Sequence, residues 1–209
     1  MSFIEVYESI VSNYPMTSSF IKFALLATTG EIIAYRIRMK SWPDKHFGIL
    51  PKAVAWGVLG IFILFAFKIF STGVPQLCGS LLPLSNDQGI NRVLNAFYIS
   101  LFMNCIFAPV MMLTHRLIDI KIEAGHGKFA SLFATTPTVN ILFSEVVWDK
   151  MWGFVFKKTI PFFWIPAHTI TFLLPPAWQI LFAAVLSVFL GILLAFADDR
   201  PETPAVPSL

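Results

Sequence analysis

The sequence alternates between long apolar runs and short polar segments, and the lengths of the runs fit a lipid bilayer. Residues 159–197 form a stretch of 39 residues without Asp, Glu, Lys or Arg, and residues 93–114 form another of 22. An α-helix rises about 1.5 Å per residue, so roughly 20 apolar residues cross the hydrocarbon core. The pattern therefore predicts an all-α, polytopic membrane helical bundle. Its four transmembrane helices are expected at about 18–37, 49–70, 93–115 and 177–197.

The segment at about 160–175 is expected to differ from these four crossings. It contains Pro161, Pro166 and Pro175, and each proline removes an N–H donor and clashes inside a helix. We predict a short Pro-broken helix there, covered by neighbouring helices because non-helical backbone cannot face lipid. The sequence leaves open whether this segment crosses fully. A single transmembrane domain is expected over residues 1–197, followed by a Pro-rich tail over 198–209.

The basic residues predict the orientation of the bundle. Of 15 Lys and Arg, five lie between the facing ends of the first two crossings or within those ends, and six lie between the third crossing and the broken helix, whereas residues 71–91 contain none. The positive-inside rule places both basic loops in the cytoplasm or an organelle matrix and both termini on the other side. Amphipathic helices lying in the interface are expected at 3–14 and 138–150.

Composition narrows the function further. Of the 209 residues, 56% are hydrophobic and 13% charged, and the net charge is +3. These values exclude a soluble globular enzyme, a disordered protein and a nucleic-acid binder. The four histidines and two cysteines make no metal-ligand spacing, and no catalytic or phosphate-binding motif is present. We therefore predict that the chain is not an enzyme, with no cofactor, no metal and no catalytic residues.

Small residues recur along the predicted crossings and indicate where helices pack closely, because close approach rather than water exclusion joins helices in lipid. Such stripes are common in any polytopic protein and indicate structure more than function. The helix-packing candidates are Gly30, Gly57, Gly60, Ala183, Ser187 and Gly191.

Polar residues inside the predicted membrane segments are the candidates for a pore or polar cavity, because an unpaired polar group there is costly. Glu31 lies on the small-residue face of the first crossing with Thr28; it lines a water-filled path or is a buried carboxylate bonded to Trp, Asn or Lys of a neighbouring helix. Asn104 lies mid-way along the third crossing, where it either lines the path or forms a hydrogen bond to a neighbouring helix. His168 and Thr171 lie in the broken helix, where unwound backbone often marks a solute site; for His168, capping or packing is the alternative.

Several of these residues resemble the Mpv-seventeen / peroxisomal membrane protein (twenty-two kilodalton) family. Tyr7, Pro15 and the tetrad at 30–33, Gly-Glu-Ile-Ile, stand at intervals similar to a tyrosine, a proline and a Gly-Asp-Ile-Ile-type tetrad of that family. The glycine-bearing second crossing that ends in Val-Pro at 74–75 resembles its next segment.

The resemblance resumes near the C-terminus. Thr171 and Phe172 stand where the family has Asn-Phe, and Pro176 where it has Val-Pro. The family's next basic residue falls on Ile180 here, and its terminal Trp-Asn pattern falls on Gly191 and a neighbouring isoleucine, so the chain resembles a divergent member, such as a prokaryotic one. The resemblance implies a four-crossing inner-membrane or peroxisomal protein that forms a weakly selective pore for small solutes.

Three hypotheses for the function follow. The leading one is a weakly selective channel or facilitator for small solutes or ions in a plasma (inner) membrane or an organelle inner membrane. Four helices enclose little lumen, so conduction is expected to need a homo-oligomer. The alternative is a non-conducting scaffold or assembly protein that organises lipid or partner proteins through its small-residue ridge on the last crossing. A weaker third hypothesis is a membrane subunit that binds a small ligand for a separate motor ATPase.

Overall fold

The computed structural model describes residues 2–81 and 87–197, and the regular structure within these ranges is helical. Short 3-10 turns occupy Lys45–Phe47 and Phe129–Phe133. A π-helical segment, Met151–Trp164, continues directly into the helix that follows it. The α-helices, in chain order, are α1 (Phe3–Asn13), α2 (Pro15–Met39), α3 (Ile49–Leu81), α4 (Gln88–Ala124), α5 (Val139–Ser144), α6 (Trp148–Lys150), α7 (Ile165–Leu173) and α8 (Pro176–Ala197).

Three helical stretches are long and apolar enough to cross a membrane: 45–81, 88–124 and 176–193. They contain the second and third predicted crossings and most of the last, which was predicted to continue to residue 197. The predicted first crossing lies within α2, which is 25 residues long. This helix is not among the three, since it carries Lys22 and Glu31 within its length.

The long helices pack in a closed ring, in the spatial order α2, α3, α4, α7 and α8, with α8 returning to α2. Apolar residues from α2, α3, α4 and α8 meet inside the ring. Phe23, Phe67 and Met103 are each at most 4% exposed and form its centre with Ala184. Many large apolar side chains on the outside of the ring remain exposed, as expected where lipid rather than water is the solvent.

The small residues allow close contacts on both sides of α2. A Cβ on Gly30 would lie 2.8 Å from the Cα of Val188, so a side chain there would push α2 away from α8. Gly191 faces the carbonyl of Gly30 from the other helix. On the α3 side, the ring of Phe23 occupies the space beside Gly60.

The other packing candidates lie in the same contacts. The ring of Phe20 covers Gly57, Ala183 is buried in the core, and Ser187 donates a hydrogen bond to the carbonyl of Ala184. The ridge on α8 is thus largely occupied within the chain, and little of it remains as a docking face for another protein.

Two segments differ from the sequence-based expectation. The Pro-broken helix is longer than predicted, since helical backbone runs from Trp148 to Leu173 and the interruption falls at Leu174 and Pro175. Pro166 lies within this continuous helical run, just after the π-helical segment passes into α7, and does not end it. The prediction of a single interfacial helix over 138–150 is wrong, because α5 ends at Ser144 and a turn separates it from Trp148.

The N-terminal helix is confirmed as a helix and is fixed to the start of α8. Ser2 and Glu5 form a capping box that begins α1. The Tyr7 hydroxyl donates to the Ala177 carbonyl at 3.1 Å, and the Trp178 indole N–H donates to a carboxylate oxygen of Glu8 at 3.1 Å. Partial burial and the nearby Glu8 raise the pKa of Tyr7 above its usual value, so this phenol stays a hydrogen-bond donor at neutral pH.

Candidate functional site

Four ionisable side chains from three helices meet between α2, α3 and α4, and we call them the charge cluster: Glu31, Lys52, His115 and Asp119. Lys52 Nζ lies 2.9 Å from Glu31 Oε2 and 2.5 Å from Asp119 Oδ1. His115 Nε2 lies 3.1 Å from Glu31 Oε1, and its Nδ1 lies 3.6 Å from Asp119 Oδ2. The Lys52 side chain is only 7% exposed. One buried ammonium group therefore compensates two carboxylates, and the imidazole bridges the same pair.

The local sequence explains how the helices deliver these groups. His115 and Asp119 are four residues apart and so lie on one face of α4, near its end. Lys52 lies in the first turn of α3, and its backbone N–H bonds the carbonyl of Gly48. Lys52 and Trp56 are likewise four apart on α3. The cluster thus lies at the end of the bundle where the two basic loops lie.

Trp56 joins the charge cluster to the interior of the ring. Its indole N–H donates to Glu31 Oε1 at 2.6 Å. Its ring lies 4.1 Å from the ring of His115, with an angle of 37° between the planes. On the other side, the indole packs near the ring of Phe23, with centroids 6.5 Å apart. The indole is therefore held by both a hydrogen bond and two aromatic contacts.

The ligand atoms of Glu31, His115 and Asp119 lie close enough together to hold a metal ion, as each offers one within 4.8 Å of the others. Two carboxylates and an imidazole are suitable donors for a divalent metal. However, Lys52 Nζ already contacts both carboxylates. The ammonium group takes the position of a cation, so the cluster as it stands is an ion-pair site.

A second group of buried polar side chains joins α4 to α7, and we call it the polar cluster: Ser100, Asn104 and His168. The Asn104 amide donates to the Ser100 carbonyl at 2.8 Å, which leaves Asn104 Oδ1 as the acceptor for His168 Nδ1 at 3.1 Å. The Ser100 hydroxyl donates to the Ile165 carbonyl at 2.7 Å. Because the Asn104 carboxamide oxygen can only accept, this arrangement places a proton on His168 Nδ1.

Between the two clusters lies a cavity of about 50 Å³, enclosed by α2, α3, α4, the π-helical segment, α7 and α8. Its walls are mostly aromatic and methionine side chains, but Trp56 borders it on the side of the charge cluster, and Asn104 and His168 border it on the side of the polar cluster. The Trp164 indole also lines it, and its N–H has no hydrogen-bond partner among the described residues. An unpaired donor beside a small cavity is a site for an ordered water or a small polar solute.

The structure brings together some of the sequence-predicted residues and separates others. Asn104 and His168 share the polar cluster and line the cavity. Glu31 belongs to the charge cluster and contacts the cavity only through Trp56. Its bonds to Trp56 and Lys52 match the alternative in which Glu31 is a buried carboxylate bonded to a neighbouring helix. Thr28 is buried without a hydrogen-bond partner for its hydroxyl among the described residues, and Thr171 donates to the Ala167 carbonyl. Neither threonine lines the cavity.

Sequence reasoning missed four residues of this region: Lys52, Trp56, His115 and Asp119. By sequence, Lys52 stands near the start of the second predicted crossing, where a lysine typically extends toward the lipid headgroups, whereas its ammonium is buried between two carboxylates. A usable signal was present in the spacing of His115 and Asp119, two ionisable residues four apart in the last turns of α4. The contacts of His115 with Glu31 and of Asp119 with Lys52 join residues that are 84 and 67 positions apart in the chain, which spacing alone does not reveal.

No protein-family model matches this chain, and neither curated proteins nor solved structures give a match. The structure and the comparisons together define the class only coarsely, as an all-helical protein with three helices able to cross a membrane.

Proposed function

We propose that this chain is a four-crossing membrane protein that facilitates the passage of a small solute or ion, with Trp56 and the charge cluster closing the path on the basic side. The observation that carries the proposal is the position of Trp56. One indole lines the internal cavity and also donates its N–H to Glu31. A change in the ion pairs would therefore move a wall of the cavity.

The fourth crossing in this proposal is α2. Its 25 residues would extend about 37 Å, enough to cross the hydrocarbon core. Its neighbours on both sides, α3 and α8, are apolar helices of membrane-spanning length. The carboxylate of Glu31 is not a lone charge within this helix, because Lys52 and His115 pair with it.

The cavity is small, and this supports a closed state of the path. Its volume of about 50 Å³ admits water but little more. Opening would require the Trp56 indole to leave Glu31 and His115. A path that opens only when buried ion pairs rearrange is expected to conduct rarely, and its selectivity is expected to depend on the carboxylate that becomes exposed.

The resemblance to the Mpv-seventeen family supports the same proposal. Of the tetrad that carries the resemblance, Gly30 lies at the contact with α8 and Glu31 belongs to the charge cluster. On this basis the protein belongs in a plasma or organelle inner membrane. The ring of helices in a single chain encloses little space, so a homo-oligomer is part of the proposal.

Proteoliposomes test the proposal with two probes, glycerol for neutral solutes and K⁺ for ions. Trp56→Ala should raise the flux of at least one probe above that of the wild type, and Glu31→Gln should change the preference for K⁺ over Cl⁻. Trp152→Ala, which removes an exposed tryptophan outside the ring, is the matched control and should behave as the wild type. If folded Trp56→Ala vesicles are as tight to both probes as protein-free vesicles, the proposal is wrong.

The alternative function is a non-conducting scaffold, and two observations favour it. All four members of the charge cluster are paired, and the cavity is too small for a solute of several heavy atoms. The α8 ridge, by contrast, gives little support to this alternative, because it largely packs within the chain. The same vesicles separate the two functions, since a scaffold predicts no flux in any variant.

A further inference from the structure

A groove at the end of the bundle where the basic loops lie collects lysine and histidine side chains from two loops. It has a volume of about 470 Å³ and is lined by Lys45, His46, His126, Gly127 and Lys128. We call these residues the basic groove. The first two belong to the 3-10 turn before α3, and the other three to the turn after α4. Each loop thus contributes one lysine and one histidine, and none of the described residues lining the groove is acidic.

The backbone, and not a chance orientation of side chains, brings the two loops together. Gly127 has a φ of 70°, and a Cβ there would lie 2.6 Å from the His46 carbonyl oxygen and 2.7 Å from that of Lys45. Gly48, on the opposite loop, also has a positive φ, of 74°. The ring centroids of His46 and His126 are 5.9 Å apart, with nearly perpendicular planes. The close backbone contact therefore fixes the positions of the two loops that carry these lysines and histidines.

The nearest acidic residue in the sequence does not line the groove. The Asp44 carboxylate accepts the His46 backbone N–H at 2.9 Å and so caps the 3-10 turn. In addition, α3 begins at Ile49, directly after the groove loop, and the N-terminal end of a helix carries a partial positive charge. Two lysines and a helix N-terminus thus meet at a groove whose described lining has no carboxylate, and a bound anion would offset their mutual repulsion.

We propose that the basic groove binds a phosphate-bearing anion, either the phosphomonoester headgroup of a lipid or a soluble phosphate compound. A volume of several hundred Å³ is typical of small-ligand sites and accommodates such a group. The groove lies beside the ends of α3 and α4, where membrane-spanning helices meet the headgroup region, and basic pockets at this level bind phosphorylated headgroups. This inference does not depend on the proposed transport function.

The test compares two double variants of the full chain, each with two exposed lysines replaced. Lys45→Gln with Lys128→Gln removes both ammonium groups of the basic groove. Lys157→Gln with Lys158→Gln removes the same charge from exposed lysines that do not line it. Binding of pyrophosphate is measured by calorimetry in neutral detergent with EDTA, and retention of phosphatidic acid from mixed micelles with phosphatidylcholine is measured by native mass spectrometry.

The wild type should bind at least one of the two probes. The groove variant should bind it about tenfold more weakly or worse, and the control variant should stay within about twofold. Retention of phosphatidic acid without pyrophosphate binding supports the site and identifies a lipid ligand, and the reverse identifies a soluble one. The proposal is overturned if neither probe binds to the wild type, or if both double variants weaken binding equally, as a diffuse surface charge would require.

Discussion

The ammonium group of Lys52 lies 2.9 Å from a carboxylate oxygen of Glu31, although the two residues belong to different helices. This contact joins α2 to α3 at a depth where neither charge is stable alone. A second carboxylate, on Asp119, contacts the same ammonium and so adds α4. An intact buried ion pair contributes little net free energy to folding, because desolvation of the two charges offsets their attraction. Removal of one partner, however, leaves the other as an uncompensated buried charge. The charge cluster is therefore expected to respond very unequally to different substitutions.

Lys52→Met should strongly destabilise the bundle. It leaves Glu31 and Asp119 facing each other with only His115 between them, and breaking a buried pair in this way costs about 3–5 kcal/mol. The measurement is the free energy of unfolding in mixed detergent micelles. Lys68→Met, on the same helix but exposed, is the matched control and should change this free energy by less than about 0.5 kcal/mol.

Glu31→Gln should restore part of the stability that Lys52→Met removes. In the double variant only the Asp119 carboxylate lacks its ammonium partner, and the amide can still accept from the Trp56 indole. The two substitutions should therefore be non-additive, because they share a contact. Simple addition of the two costs would show that Lys52 and Glu31 do not pair.

Gly30→Ala should separate α2 from α8. The added methyl group would lie 2.8 Å from the backbone of Val188, which cannot rotate away as a side chain can. We expect a loss of about 1–3 kcal/mol in the free energy of unfolding. Gly73→Ala on α3 is the control, because nothing lies within 4 Å of its added methyl, and higher helix propensity should leave it neutral or up to about 1 kcal/mol more stable.

Asn104 and His168 should show a measurable coupling energy. Asn104→Leu leaves a buried imidazole N–H without its acceptor, which costs about 1–3 kcal/mol. Combining it with His168→Phe removes both partners, and the cycle should give a coupling of about 0.6 kcal/mol, with about 1.7 as the upper end seen for such bonds in membranes. Cys105→Ala, next in sequence but exposed, is the control and should be neutral. A coupling near zero would contradict the polar cluster.

Much of the helical framework follows from the sequence, because hydrophobic length and small-residue spacing are local properties. The helices α3 and α4 nevertheless extend past the predicted crossings, to Leu81 and Ala124. Hydropathy indicates where a segment can lie in lipid, but hydrogen bonding carries a helix beyond that boundary into the polar region.

The charge cluster was only half predictable. Glu31 was identifiable because a carboxylate within a predicted membrane segment is unusual, and a lysine or tryptophan was expected as its partner. The choice of Lys52 and Trp56, and the addition of His115 and Asp119, depend on how three helices pack. Lys52 in particular reads as a residue at a helix end, because the sequence does not show that α2 and α4 cover that end.

The membrane crossing by α2 is the last prediction, and it decides between three and four crossings. Cysteines at Ser12 and Ser41 would flank α2, and a membrane-impermeant maleimide should label them from opposite faces of sealed vesicles, in a Cys105→Ala background. Ala130→Cys is the control: α3 and α4 cross and return, so it should label from the same face as Ser41→Cys. The two charged residues before the last turn of α2 do not prevent its crossing, because Glu31 is paired and Lys22 Nζ lies 4.8 Å from the centroid of the Tyr7 ring. Labelling of Ser12→Cys and Ser41→Cys from one face would leave an odd number of crossings and would remove the basis for a path beside Glu31.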